Sequence, residues 1–188
     1  MERNVGHTVK NTNEIKNPKL YLLFVTGTSG AGKTTLKDSL QHLNNEFISI
    51  HDFDEWGIPE DVDENFRIKR TGEWIEYGVK NMKENHKSTV LFGQVVPHEV
   101  MDWVNQYDNI NTAFGFIDVD LKDIENRLHE RGWEPQLIEA NLIWSSHLKR
   151  FTEAQPDHVI YESQGKTKEE VAAFFEKWIM YKLCVRSN

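Results

Sequence analysis

The residues most plainly suited to chemistry form one glycine-rich segment, Gly27-Thr28-Ser29-Gly30-Ala31-Gly32-Lys33-Thr34. Its glycines allow backbone angles that other residues resist and let the backbone approach a ligand closely. The N–H groups of such a loop converge on phosphate oxygens, helped by the N-terminus of the helix that follows. Lys33 would bring a positive charge to the outer phosphates, and the Thr34 hydroxyl would be a ligand for Mg²⁺, with Thr35 as the alternative. The segment predicts a site for ATP or GTP.

The residues around this segment give it the context that phosphate loops require. The apolar run of residues 20–25 precedes it and is typical of a strand buried on both faces. A helix predicted over residues 33–44 follows, with Leu36, Leu40 and Leu43 on one face. A glycine turn without a ligand is the alternative, and the strand–loop–helix context favours a P-loop instead.

Two carboxylates follow the next predicted strand, residues 47–51. Asp52 and Asp54 are two positions apart, so both side chains would lie on one face if the strand continued. At the edge beside the P-loop, one of them could hold Mg²⁺, directly or through water. The other could accept the proton of an attacking hydroxyl, as phosphoryl transfer requires. A solvated acidic loop is the alternative.

A pair of arginines lies on a helix predicted over residues 121–131. Arg127 and Arg131 are four positions apart and therefore share a face. Arginines that close over a nucleotide would shield the reaction from water, which a kinase needs in order to avoid hydrolysing ATP. The alternative is a set of weak surface ion pairs. The acids available for such pairs are Asp123, Glu130 and Glu134.

Composition limits the classes of partner. The net charge of −8 makes the chain a poor general binder of nucleic acid or of an anionic membrane, although one local pocket can still hold phosphates. The one cysteine, Cys184, cannot form an internal disulfide, which suits a reducing cytoplasm. No apolar run approaches the length of a membrane span.

The chain length of 188 residues fits a single domain, predicted over residues 19–188. Residues 1–18 are polar, with little to bury and no apolar core of a signal peptide. They are expected to form a mobile tail.

Five predicted strands alternate with helices along the domain, which is the pattern of an open parallel sheet in a three-layer α/β fold. The three remaining strands are predicted over residues 89–93, 112–119 and 158–161. Further helices are predicted over residues 72–85, from Pro97, over residues 135–150 and over residues 168–182. Ligands of such sheets bind outside the carboxyl ends of the strands. The chemistry is therefore expected at residues 26–33, 51–55, 94–97, 118–120 and 162–165.

With these features in order, most of residues 20–182 resembles the small P-loop kinases, namely the shikimate, gluconate and adenylate kinase group and antibiotic phosphotransferases of the chloramphenicol type. Asp52-Phe53-Asp54 looks like the Asp-x-Asp of shikimate kinases, in which the first Asp lies near Mg²⁺ and the second holds the substrate hydroxyl. Arg127 and Arg131 look like the lid arginines of these kinases, which cover the base and neutralise the transferring phosphoryl group. The resemblance implies these roles here.

The sequence also departs from these kinases. Shikimate kinases carry a glycine triplet after the third strand, where this chain has Gly93 followed by Gln94, and that puts shikimate itself in doubt. Gln94 could still bond a substrate or the γ-phosphate. Arg67 and Arg70 could bind a substrate phosphate, or they could be ordinary surface residues.

Between the second and third strands, aromatic and acidic residues would surround the acceptor. Trp56 and Phe66 among acids suit a polar, cationic or sugar-like hydroxyl compound, whereas Trp74 is expected in the core. The first hypothesis is therefore an ATP- and Mg²⁺-dependent kinase of a small hydroxyl-bearing molecule. A regulatory ATPase that uses Asp118 as its metal-side acid is the second. A 5′-hydroxyl polynucleotide kinase is the third, and the acidic charge argues against it.

Overall fold

The structure, a computed structural model, describes residues 20–59 and 63–183. Its centre is a parallel sheet of five strands in the order β2-β3-β1-β4-β5. The strands are β1 Tyr21–Thr26, β2 Ile48–Asp52, β3 Ser88–Gly93, β4 Asn111–Asp118 and β5 His158–Glu162. All five predicted strands are present, each within one or two residues of the predicted bounds. The predicted three-layer α/β fold is therefore confirmed.

Six helices connect and cover these strands. They are α1 Lys33–Ser39, α2 Glu64–Asn85, α3 Pro97–Val104, α4 Leu121–Glu130, α5 Pro135–Glu153 and α6 Lys168–Lys182. Two short 3₁₀ turns, Gln41–Leu43 and Phe53–Trp56, follow α1 and β2. No helix in the described part of the chain combines the length and the apolar character needed to cross a bilayer.

The central strand β1 is buried on both faces, as its continuous apolar run predicts. Leu23 and Val25 pack on one side with apolar residues of α1, α4 and α6. Leu22 and Phe24 pack on the other side with α2 and α3. Because alternate side chains of a strand point to opposite faces, one short run anchors both helical layers. The loop that follows β1 is thereby held at the middle of the carboxyl edge.

Two helices differ from the prediction. Helix α2 begins at Glu64, eight residues before the predicted start, because the Asp63 carboxylate accepts a hydrogen bond of 2.8 Å from the backbone N–H of Phe66 and caps the helix. Helix α1 ends at Ser39, and a 3₁₀ turn completes the predicted segment. The predicted tail, residues 1–18, and Cys184 lie outside the described residues.

Candidate active site

The glycine-rich loop joins β1 to α1 at the middle of the sheet edge. Gly30 and Gly32 have φ angles of 84° and 92°, in the left-handed region that favours glycine. The Lys33 ammonium donates a 2.9 Å hydrogen bond to the Thr28 carbonyl across the loop. Burial lowers the pKa of Lys33 to about 8, while the nearby Asp52 and Asp54 oppose the shift. A desolvated cation in this position is one that phosphate oxygens would stabilise.

Two side chains from other helices hold the loop in place. Arg127 of α4 donates a 2.8 Å hydrogen bond from Nη1 to the Gly30 carbonyl. Asn141 of α5 donates from Nδ2 to the Ser29 carbonyl at 3.1 Å. Both bonds direct loop carbonyls toward these helices. Sequence reasoning did not find Asn141, because a single buried amide on an amphipathic helix carries no spacing signal.

The two carboxylates come together for a reason other than the one expected. Strand β2 ends at Asp52 and does not continue, so the expected alternation along a strand is wrong. Instead, Asp52 caps the 3₁₀ turn: its Oδ1 accepts from the backbone N–H of Asp54 at 3.1 Å, and Glu55 Oε2 accepts from the N–H of Asp52 at 3.3 Å. The turn brings both carboxylates to the cavity that Lys33 also lines.

Neighbouring elements fix the shape of this turn. The Trp74 indole N–H of α2 donates to the Phe53 carbonyl at 3.1 Å, and the ring of Trp56 stacks on Trp74 with 3.7 Å between centroids. A Cβ at Gly93 of β3 would lie 2.4 Å from the Cβ of Phe53, so only glycine allows this approach. Trp74 is 2% exposed, which confirms its prediction as a core residue.

Asp52 and Asp54 differ in their surroundings. Asp52 caps the turn with one oxygen, and its other oxygen lies 3.9 Å from the Lys37 ammonium. The Asp54 carboxylate makes no hydrogen bond with another described residue. Burial, followed by the charge of Asp52, raises the pKa of Asp54, and Lys33 and Arg70 oppose the shift. The Asp54 carboxylate therefore takes up a proton more readily than an ordinary aspartate does.

Two cavities flank the phosphate loop. The Asp54 cavity, of about 490 Å³, lies between the loop, the 3₁₀ turn and α2. Its lining residues include Lys33, Thr34, Asp52, Asp54, Phe66, Arg67, Arg70, Gln94 and Arg131. The Lys166 cavity, of about 280 Å³, lies on the other side of the loop. Its lining residues include Thr35, Ile117, Arg127, Arg131, Ser163, Lys166 and Lys168.

The arginines of α4 lie at the loop, as expected. Arg131 lines both cavities, and Arg127 lines the Lys166 cavity while bonding the loop. The alternative of surface ion pairs with neighbouring acids is not observed, since neither arginine has a salt-bridge partner among the described residues. Helix α4 ends at Glu130 with Arg131 as its C-cap, and Gly132 follows with a left-handed φ of 75°. Movement of this segment as a lid stays a prediction.

Arg67 and Arg70 are not ordinary surface residues. Their side chains are 21% and 13% exposed, and both line the Asp54 cavity. Each is bonded to a carboxylate behind it, Arg67 to Glu99 and Arg70 to Glu73. Gln94 lines the same cavity.

The acids at the end of β4 lie apart from the loop. Asp118 accepts a 2.6 Å hydrogen bond from the Lys149 ammonium, which raises the pKa of Lys149. Asp120 caps α4 by accepting from the N–H of Lys122. Both line a third cavity, in which no loop residue takes part among the described lining residues. Asp118 is therefore not placed to serve a metal at the P-loop.

Thr34 and Asp52 line the same cavity as the loop backbone. A hydroxyl and a carboxylate oxygen are ligands that suit Mg²⁺, which usually keeps several waters and takes its remaining ligands from protein and phosphate. The residues present fit this ion.

The model of the AAA domain family matches residues 23–155. The chain belongs to this family. No curated protein matches the sequence significantly. The matched segment of this AAA-domain chain contains the phosphate loop, the 3₁₀ turn, the α4 arginines and the two arginines of α2.

Small P-loop kinases are among the solved structures with the same fold. An unliganded sugar kinase from Janibacter sp. has a TM-score of 0.62 at 16% identity, covering 90% of this chain and 99% of that chain. Shikimate kinase from Acinetobacter baumannii, in complex with shikimate, has a TM-score of 0.57 at 15% identity, with coverage of 87% and 95%. APS kinase from Mycobacterium tuberculosis, in complex with AMPPNP and APS, has a TM-score of 0.55 at 16% identity, with coverage of 86% and 98%. The resemblance to this group is confirmed at the level of the fold.

Proposed function

We propose that this protein transfers the γ-phosphoryl group of ATP to a hydroxyl of a small molecule. One observation carries the proposal: a single cavity contains the phosphate-loop lysine and a carboxylate, Asp54, that has no hydrogen-bond partner among the described residues and a raised pKa. A cation for the phosphates beside a proton acceptor is the arrangement that phosphoryl transfer requires. The sugar kinase and shikimate kinase of the same fold add support, as does the AMPPNP bound to APS kinase.

In the proposed reaction, the acceptor oxygen attacks the γ-phosphorus and forms the new P–O bond. The bond from the γ-phosphorus to the β,γ-bridging oxygen breaks, and ADP leaves with the electron pair. The hydroxyl proton passes to Asp54. Lys33 and Arg131, which line this cavity, stabilise the charge on the phosphoryl oxygens.

Thr34 and Asp52 would hold Mg²⁺, whose contribution is to offset charge on the phosphate oxygens. This division leaves Asp54 as the base. Asp52 is fixed in position by the turn, which suits a carboxylate that holds an ion. The raised pKa of Asp54 suits a group that takes up a proton and releases it later.

The other two hypotheses from the sequence have less support. A regulatory ATPase that relies on Asp118 would need this carboxylate near the phosphates, and it is paired with Lys149 in another cavity. A polynucleotide acceptor would need a basic groove, and the chain carries a net charge of −8.

The test is the Asp54→Asn variant. Wild-type protein with ATP and Mg²⁺ is first screened for ADP release against sugars, amino sugars, nucleosides and hydroxyl-bearing antibiotics, with hydrolysis by water as the baseline. With the best acceptor, we expect Asp54→Asn to lower kcat by about 10²- to 10⁴-fold, since general-base catalysis contributes this much. Binding of AMPPNP, measured by calorimetry, should stay within about twofold, because the variant leaves the loop intact.

Asp38→Asn is the matched control, because the Asp38 side chain is 67% exposed on α1. It should turn over as the wild type does. Full turnover by Asp54→Asn would contradict its role as base. The absence of any acceptor-dependent ADP release, together with hydrolysis that depends on Asp118, would support the regulatory ATPase instead.

A further inference from the structure

We infer that the acceptor side of the Asp54 cavity is built for a molecule without an anionic group, and that Glu73 and Glu99 set this preference. The inference rests on the proposed kinase function and names the class of acceptor. It follows from the partners of the two arginines that line this side.

Arg67 is held by carboxylates and by an aromatic ring. Its Nη1 donates to Glu99 Oε2 at 2.5 Å, and Nη2 lies 3.5 Å from Glu64 Oε1. The guanidinium carbon lies 5.9 Å from the ring centroid of Trp144. The Glu99 side chain is only 10% exposed, so its charge is directed to Arg67 rather than screened by water.

Arg70 has a parallel arrangement. Its Nε donates to Glu73 Oε2 at 2.9 Å, and Nη1 donates to the Gly57 carbonyl at 3.2 Å. The guanidinium carbon lies 5.0 Å from the ring centroid of Phe66 and 5.7 Å from that of Trp56. Its position is thus fixed by an ion pair, a backbone carbonyl and two aromatic rings.

The arginines line the cavity, whereas Glu73 and Glu99 do not. An acceptor would therefore meet N–H groups whose positive charge is partly offset by carboxylates outside the cavity lining. Such donors still bond neutral oxygens. An anionic group would gain less here than at an unpaired arginine, because the carboxylates behind repel it.

The remaining charges of the cavity favour the same class of acceptor. Lys33 and Arg131 are the lining cations without a salt-bridge partner among the described residues, and in the proposed reaction the triphosphate takes their charge. Asp52 would hold Mg²⁺ in that reaction, so Asp54 is the carboxylate that remains on the acceptor side. A second anion beside Asp54 and the γ-phosphate would be repelled by both. A neutral or cationic polyhydroxyl compound meets no such repulsion.

The experiment is a calorimetric titration of inorganic phosphate into protein that is saturated with Mg²⁺ and AMPPNP. The analogue fills the loop, so phosphate reports on the acceptor side alone. In the wild type we expect the Kd of phosphate to be no lower than about 10 mM, which is weaker than binding at a specific anion site. In Glu73→Gln, which frees Arg70 and preserves the side-chain shape, phosphate should bind at least about tenfold more tightly.

Glu76→Gln is the matched control, an exposed glutamate on the same helix, and it should behave as the wild type does. A paired assay of ADP release should show glucose or glucosamine preferred to gluconate. Wild-type phosphate binding below about 1 mM that Arg70→Gln removes would overturn the inference. So would the absence of any gain in Glu73→Gln. Failure of AMPPNP itself to bind the wild type would instead overturn the proposed kinase function.

Discussion

The two cavities beside the phosphate loop share Arg131 but differ in the charge of their other lining residues. The Lys166 cavity has four cationic side chains and, among its described lining residues, no carboxylate. Two of these cations, Lys166 and Lys168, lie 4.0 and 3.8 Å from glutamates of α6 that are outside the lining. The Asp54 cavity has two carboxylates, and two of its four cations are paired with carboxylates outside the lining. Its volume is also larger, about 490 Å³ against about 280 Å³.

This difference shows how one loop can serve two partners of opposite character. A lining that contains cations and no carboxylate attracts a polyanion and contributes to affinity. On the other side, two lining carboxylates, one of them with a raised pKa, suit a hydroxyl that must lose its proton. Arg131 lines both cavities. The following experiments test whether the cavities are as distinct as their residues indicate.

The largest effect on kcat is expected for Arg131→Met, and Arg127→Met is the variant to compare with it. Arg131 lines both cavities, so its loss should lower kcat by about 10²- to 10³-fold, the cost of removing one donor to a developing charge. Arg127 lines one cavity and bonds the Gly30 carbonyl. Its loss should weaken AMPPNP binding about tenfold with little change in kcat.

Arg150→Met is the control for both arginine variants, since Arg150 is exposed on α5. Steady-state kinetics measures kcat, and calorimetry measures the affinity for AMPPNP. Equal effects of Arg127→Met and Arg131→Met on kcat would contradict the separation of the two cavities.

An intermediate effect is expected from adding one methyl group at Gly93. An alanine Cβ there would lie 2.4 Å from the Cβ of Phe53, between the two aspartates in sequence, and this atom cannot move without the backbone of the turn. We expect a loss of about 1–3 kcal/mol in the free energy of unfolding. The displaced turn should also lower kcat by up to about 10²-fold, because misplacement of a reacting group by an ångström costs this much.

Gly78→Ala is the matched control for this substitution. Its Cβ would lie 2.5 Å from Leu22 Cδ2, the flexible end of a side chain in the core. Chemical denaturation should show a smaller loss of stability than for Gly93→Ala, and kcat should be unchanged. A kcat equal to the wild type in Gly93→Ala would show that the turn tolerates displacement.

The smallest effect is expected from a change of pH, and the direction of the change in kcat/KM differs between Asp54 and Lys33. As base, Asp54 must be ionised, so kcat/KM should rise with pH through a pKa above the ordinary 3.8 of an aspartate. Lys33 must be protonated to bind phosphate, so kcat/KM for ATP should fall above its pKa of about 8 in the free protein. Each limb should approach tenfold per pH unit.

The profile of kcat provides the check on this assignment. Phosphates bound at Lys33 favour its charged form, so the alkaline limb of kcat should move to higher pH. Asp54→Asn should lose the acidic limb and keep the alkaline one. An acidic limb that survives in this variant would assign it to another group.

Much of the framework was predictable because its signals are local. The buried apolar run of β1 and the left-handed positions at Gly30 and Gly32 depend on neighbouring residues alone. The position of Arg131 beside the loop was instead implied by the resemblance to the lid arginines of small P-loop kinases. Local reasoning missed the first eight residues of α2, because the helix there presents charged residues and its start depends on the Asp63 cap.

The aspartate pair shows where local reasoning reaches its limit. Its position at the carboxyl edge was predicted correctly, yet the strand alternation offered as the cause is wrong, since Asp52 ends β2 and caps a turn. The turn depends on Trp74 and Gly93, which come 21 and 40 residues after Phe53 in sequence. No spacing rule covers such contacts.

The sequence by itself determined that this protein has a phosphate loop on a parallel sheet, because glycine conformations and apolar periodicity are properties of short segments. Only the tertiary structure decided which charges remain for a ligand. Arg67 meets Glu99 across 32 residues, and Arg127 meets the Gly30 carbonyl across 97. The partners of long polar side chains depend on which groups lie nearby in the folded protein. The charge of a cavity is therefore known only when the elements around it are packed.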